Sequence, residues 1–235
     1  MTAQQYRFAS VSQALKATID AGRVGRVYHT RCWYLRRAGL PVRTGLIYKR
    51  NSGGGVCIDI GVHVLDLALW LMGNPEPVAV SGTAPAILAH HPDSRGQRGA
   101  HIPGDIDVED FAAGFVRFAN GATLSIEVSW LLHHSPDPDK RVWVYGTEGG
   151  IVFPDATLHH ADPATGQLLD TRIISRDVVH GEYDQAAYSA AFNAFATAIL
   201  DGAESPAPPE QSLQVQSILE GIYHSHQSGA EVRLD

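Results

Sequence analysis

The chain has 235 residues, of which 18 are Lys or Arg and 25 are Asp or Glu, for a formal charge of −7. An apolar share of 44% with 18% charged residues suits a globular protein with a real core and excludes wholesale disorder. Basic residues gather only loosely, at Arg36, Arg37, Arg43, Lys49 and Arg50, which argues against nucleic acid or an anionic membrane as the main partner, since both demand clustered cations.

Residues 10–22 open the chain with Val11, Ala14, Leu15, Thr18 and Ile19 at helical spacing, Ser10 or Ser12 as cap and Gly22 as stop. Residues 25–35 read as a strand rich in β-formers. Residues 36–52 have no clean period and form a long excursion of the functional or mobile kind. After Gly53, Gly54 and Gly55, a helical period from Val56 through Leu69 and Met72 ends at Gly73. Residues 78–83 are a short strand, and 90–104 a loop. Alternating runs at 110–118 and 122–130 flank Asn120-Gly121, the strongest short-range hairpin signal. Further strands are expected at 141–145, 150–153, 157–160 and 171–175. A long amphipathic helix over 183–200 carries Phe192, Phe195 and Ile199 on one side, and a last helix ends before Gly229.

Strands bunched between 78 and 175, rather than alternating with helices, predict an α+β fold: a large, mainly antiparallel open sheet with helices on one face, forming a single domain over 1–235. Its uncovered face, if apolar, must find a partner, so a homo-oligomer is expected. The two cysteines, Cys32 and Cys57, make no disulfide framework, and the N-terminal residues lack the apolar core of a secretion signal, so the expected location is cytoplasmic.

Chemistry points first to Asp59 and His63. Four residues apart on a helix, they share a face at about 6 Å along the axis. A carboxylate so placed orients an imidazole and favours its charged form, so His63 could act as general base with Asp59 assisting. The glycines before them would let a ligand or another backbone approach. The alternative is a pair that merely caps and decorates an apolar helix. Asp66, in the most apolar stretch, is expected to face solvent or a neighbouring backbone. The acids Asp105, Asp107, Glu109 and Asp110 lack calcium-loop spacing and suggest a solvated strand entrance. No G-x-G-x-x-G follows a strand, no phosphate loop or G-x-S-x-G elbow occurs, and the adjacent histidine pairs have no metal-ligand spacing.

Gly53-Gly54-Gly55, then Asp59-Ile60-Gly61-Val62-His63, Asp66, Trp70 and Gly73, resemble the substrate-domain motif of the Gfo/Idh/MocA oxidoreductases. The likeness extends to Arg7-Phe8 and residues 21–27, to Glu109-Asp110-Phe111, to the hairpin around Asn120-Gly121, to Trp130 and to the turn at 146–150. It implies hydride transfer between NAD or NADP and a sugar or polyol, with His63 as general base or acid and Asp59 assisting. Tyr48, Lys49 and His133 are candidate substrate contacts. The family's Rossmann domain, with its glycine fingerprint and a Glu-Lys-Pro lysine that joins the catalytic group, has no counterpart here, and residues 1–25 look like the link out of it. The expectation is a substrate-binding and oligomerisation domain, a truncated product or a partner of a separate Rossmann chain, inactive or nearly so alone. The competing reading is a non-catalytic carbohydrate-binding or dimerisation module.

Overall fold

The computed structural model describes residues 1–174 and 183–234. A short turn at Gln5–Phe8 leads into helix α1 (Ser10–Asp20), whose cap position is Ala9; neither Ser10 nor Ser12 caps it, because both lie inside the helix and Ser12 is buried. Strand β1 (Val27–Leu35) follows. The excursion after it carries two one-turn helices, α2 (Thr44–Ile47) and α3 (Lys49–Ser52). A π-turn at Cys57–Gly61 runs directly into α4 (Val62–Leu71).

The remaining strands are β2 (Pro77–Thr83), β3 (Phe111–Phe118), β4 (Thr123–Ser129), β5 (Asp139–Gly146), β6 (Gly149–Phe153), β7 (Thr157–Ala161) and β8 (Leu168–Arg172). The strand expected at 171–175 thus begins earlier and ends at Arg172, while Ser175 lies outside the described residues. Helices α5 (Tyr183–Asp201) and α6 (Pro209–Ser228) precede a two-residue strand, β9 (Val232–Arg233). The residue after α6, Gly229, is left-handed at φ 67°, a C-terminal stop that glycine adopts without strain.

The strands form one nine-stranded open sheet in the order β8-β7-β6-β5-β1-β4-β3-β2-β9. Among the described residues β1 and β4 pair in parallel and the other neighbours antiparallel, giving the mixed α+β arrangement that bunched strands imply. Helix α4 packs on β1 and β5, α6 on β2 and β3, and α1 on β6. Along β1, Thr30, Cys32 and Tyr34 turn inward and are buried, while His29, Arg31 and Trp33 turn out, as the two-residue strand period dictates.

Helix α4 is buried on nearly every side, with Val64, Leu65, Leu67, Ala68 and Leu69 inaccessible. That position overturns the surface reading of Asp66. Its carboxylate is buried and bidentate to Arg7, at 2.7 Å from Nε and 2.5 Å from Nη2, and Arg7 Nη1 also donates to Gln211 at the start of α6. A charge in the middle of a core helix survives only with such a partner. The same pair ties the first residues of the chain to its central and last helices.

Candidate active site

The glycine run works at the start of the central helix. A Cβ on Gly55 would strike the Glu109 carbonyl, and one on Gly54 the Tyr223 hydroxyl. The close approach these glycines permit is therefore to protein groups rather than a ligand. Glu109, placed one residue ahead of Asp110 and β3, is buried and not a solvated entrance. Its carboxylate accepts from Gly55 N–H at 2.8 Å, Cys57 N–H at 3.0 Å and the Tyr223 hydroxyl at 2.7 Å. It satisfies amides that the helix start leaves without partners, with its charge at the positive end of the dipole. Asp110 is likewise buried and accepts from the backbone N–H groups of Ile87 and Ala89; burial pushes its carboxyl above the ordinary range. Asp105 accepts from the Tyr48 hydroxyl at 3.0 Å and Asp107 from Lys49 N–H at 2.6 Å.

So anchored, the π-turn presents Asp59, and the first turn of α4 presents His63, into one cleft of about 250 Å³. A π-turn is rare and concentrates at functional sites. Four residues remain short of one π-turn, so the two side chains keep a common side. The wall comes from distant parts of the chain: Gln5 and Tyr6, Tyr34 at the end of β1, Arg36 and Arg43 in the excursion, Gln97, and Tyr188 on α5.

Trp130, fully buried just past β4, donates its indole N–H to Asp59 Oδ2 at 2.9 Å and fixes that carboxylate. The rings of Tyr6 and His63 stand 5.4 Å apart, tilted by 50°. Behind Tyr6, Lys140 of β5 donates to the Tyr6 hydroxyl at 2.9 Å and lies 4.3 Å from its ring centroid, a combined hydrogen bond and cation–π contact. Arg36 lies 4.7 Å from the Tyr34 centroid and donates to its hydroxyl at 2.8 Å. The cleft thus offers tyrosine surfaces, guanidinium and amide donors, one carboxylate and one imidazole.

Of the five residues singled out from the sequence, Asp59 and His63 meet on this cleft. Tyr48 and Lys49 do not line it: Tyr48 is held by Asp105 with Arg50 against its ring at 5.2 Å, and Lys49 is exposed. His133 lies on a separate groove with Arg37, His91 and Asp137. Tyr6, Tyr34, Arg36, Gln97, Tyr188 and Lys140 had no local signal. Tyr6 and Lys140 are 134 residues apart, and only the sheet brings them together.

Residues 12–152 match the family model described as the GFO/IDH/MocA C-terminal domain. The chain belongs to the Gfo/Idh/MocA family. Relatives of this Gfo/Idh/MocA domain include D-glucoside 3-dehydrogenase of Escherichia coli, 29% identical over 230 residues, a match that covers 97% of this chain and 63% of that protein. Levoglucosan dehydrogenase of Pseudarthrobacter phenanthrenivorans is 32% identical over 164 residues, 65% of this chain and 41% of that one. A solved levoglucosan dehydrogenase in complex with NADH and levoglucosan superposes with a TM-score of 0.77 at 25% identity, covering 100% of this chain and 66% of the other. An oxidoreductase domain protein from Kribbella flavida, at 22% identity and a TM-score of 0.78, shares the fold. The chain spans about two thirds of the length of such relatives, or less.

Proposed function

We propose that this chain is the substrate-binding and oligomerisation domain of an NAD(P)-dependent sugar or polyol dehydrogenase, with His63 as the general base or acid on the reacting hydroxyl. The observation that carries this reading is the convergence of Asp59 and His63 on one cleft walled by hydrogen-bonding side chains. Its volume suits one sugar ring. Its tyrosines offer flat apolar surface to C–H faces, while Arg36, Arg43, Gln5 and Gln97 offer partners for hydroxyls. The names of the relatives support the same substrate class.

In oxidation, His63 takes the hydroxyl proton as the carbon–oxygen bond gains double-bond character; in reduction it returns that proton to the carbonyl oxygen. Asp59, held by Trp130, is the carboxylate one turn away that assists the imidazole. The described residues do not fit a dinucleotide: the sheet is mainly antiparallel, and no glycine-rich turn joins a parallel strand to a helix. The nicotinamide is therefore the contribution of a Rossmann domain, on the same polypeptide or a separate one. The open face of the sheet, where Tyr145 stacks on His29 at 5.8 Å and Trp143 on His159 at 5.2 Å, is the proposed surface for a second copy.

The test joins the chain to a family Rossmann domain and follows reduced nicotinamide while sugars and polyols are offered. Turnover that falls about a thousandfold in His63→Ala, with sugar affinity changed by less than about tenfold, supports the reading. Sugar binding without turnover in any combination, and indifferent to His63→Ala, would favour the non-catalytic module instead.

A further inference from the structure

The loose basic group of the excursion divides once the chain is folded. Two of its members, Arg36 and Arg43, line the cleft that holds His63. Among the described residues that cleft therefore carries two guanidiniums against one carboxylate, Asp59, in a chain whose formal charge is −7. A net-acidic protein that gathers cations on the wall of a cleft focuses a positive potential there. Arg7, Arg117 and Arg141 each pair with a carboxylate, whereas neither Arg36 nor Arg43 does so among the described residues.

Arg36 is also built into place. Its backbone N–H donates to the Ser129 carbonyl at 2.9 Å, and its own carbonyl accepts from Leu132 N–H at 3.0 Å, so it is pinned to the segment whose Trp130 holds Asp59. A Cβ on Gly39 would overlap its aliphatic stem, so the glycine makes the room in which the side chain lies. The guanidinium rests on the buried Tyr34 ring and bonds only to neutral oxygens, the Tyr34 hydroxyl and the Gly39 carbonyl. Further N–H donors of its fork remain for a ligand, already oriented. Arg43 stands exposed at the cap of α2 on the same cleft. A sugar hydroxyl must donate as well as accept, and a guanidinium offers no acceptor; an anion accepts on every lone pair, in shorter and stronger bonds.

Resting on the function proposed above, we propose that the substrate is an anionic monosaccharide, its carboxylate or phosphate ester held by Arg36 and Arg43 while the reacting hydroxyl faces His63. A cleft of about 250 Å³ admits one ring with a small charged substituent and excludes a nucleotide-sugar. The anion takes no part in the electron balance. The reacting carbon gives its hydride to the oxidised nicotinamide and the hydroxyl gives its proton to His63, so the C–O bond becomes C=O and the charged substituent leaves as it came.

The test is calorimetric binding of matched sugars to the full chain, alone and joined to a family Rossmann domain. Glucose is compared with glucuronate and with the phosphate ester of glucose, galactose with its own two counterparts, and inorganic phosphate is titrated beside them. The expected result is an anionic sugar bound about tenfold to a hundredfold more tightly than its neutral parent, a preference that shrinks as salt is added. The carboxylate and phosphate arms say which anion the cleft takes. In Arg43→Gln the ratio of anionic to neutral affinity should drop to about threefold or less, while Arg43→Lys keeps most of it. A side chain with a merely structural role would weaken both sugars and leave the ratio unmoved. Equal or tighter binding of the neutral sugars overturns the proposal, as does failure of every anionic sugar to bind in either format, or inorganic phosphate binding as tightly as any anionic sugar. An Arg43→Gln effect on NADP against NAD with the sugar ratio unchanged also overturns it, and assigns that guanidinium to the cofactor. Turnover of neutral sugars alone that depends on His63 would sink the anionic substrate but keep the dehydrogenase; an anionic preference without turnover in any fusion would do the reverse.

Discussion

Asp59 stands on the wall of the cleft, where the indole N–H of Trp130 holds one of its oxygens. The hydrogen bond aims the carboxylate while leaving its second oxygen for other partners. In the chain joined to a Rossmann domain, Trp130→Phe is expected, on the proposed function, to lower kcat by about tenfold with KM little changed, because it loosens the carboxylate beside His63 rather than the sugar contacts. Steady-state kinetics check it: a raised KM with kcat unchanged would instead place Trp130 among the sugar contacts. Lys140 acts on Tyr6 in the same indirect way. Its ammonium donates to the hydroxyl and lies against the ring, which fixes Tyr6 on the cleft wall. Lys140→Met should reduce kcat/KM by about tenfold with a Tm within a few degrees of the parent; a full loss of folding would assign Lys140 to the core instead.

The central helix is held at both ends by charge. At its start Glu109 receives two backbone N–H groups and the Tyr223 hydroxyl, and Glu109→Ala, which orphans these donors, is expected to cost about 1–3 kcal/mol in urea unfolding. Midway, Asp66 meets Arg7. Removing one partner leaves the other buried and unpaired, so Asp66→Ala should cost about 3–5 kcal/mol at neutral pH. Burial, outweighing Arg7, raises the Asp66 carboxyl above its ordinary 3.8. Because the folded state then holds that proton more tightly than the unfolded chain, the contribution of Asp66 is full below pH ~3.8 and declines as pH rises through the raised value. The paired replacement Arg7→Met with Asp66→Leu should therefore gain on the parent across that rise, and a parent that gained instead would show the pair to be net stabilising.

At the scale of the molecule, the nine-stranded sheet has one face under helices and one face of its own. The outward row of Arg31, Trp33, Trp143 and Tyr145, with Arg31 5.2 Å from the Trp33 ring, is the surface on which a second copy is expected to sit. Trp143→Glu should convert an oligomer seen by light scattering to monomer without changing secondary structure; an unchanged mass would move the interface elsewhere. His29 adds a pH dependence to this face. Burial, with Arg31 beside it, holds the imidazole below its ordinary 6.5. A depressed histidine contributes stability that is present above that value and lost as pH falls through it. Tm should decline between pH 7.5 and 5.5, and less so in His29→Gln.

Local spacing was enough to place the helix stops at Gly22, Gly73 and Gly229, the hairpin at Asn120-Gly121, and Asp59 with His63 on a shared side, because such features depend on neighbours two to four residues away. The helical period of α5 was equally visible, but not which side faces in, since a row of alanines and a row of phenylalanines are both apolar. Only the tertiary structure decided that the phenylalanines turn outward, that Arg7 pairs with Asp66 across 59 residues and that Glu109 seats the helix bearing His63. It alone assembled the cleft wall from Tyr6, Tyr34, Arg36 and Tyr188. A contact between residues far apart in the chain leaves no period behind it; it exists only once the sheet has fixed where each strand ends.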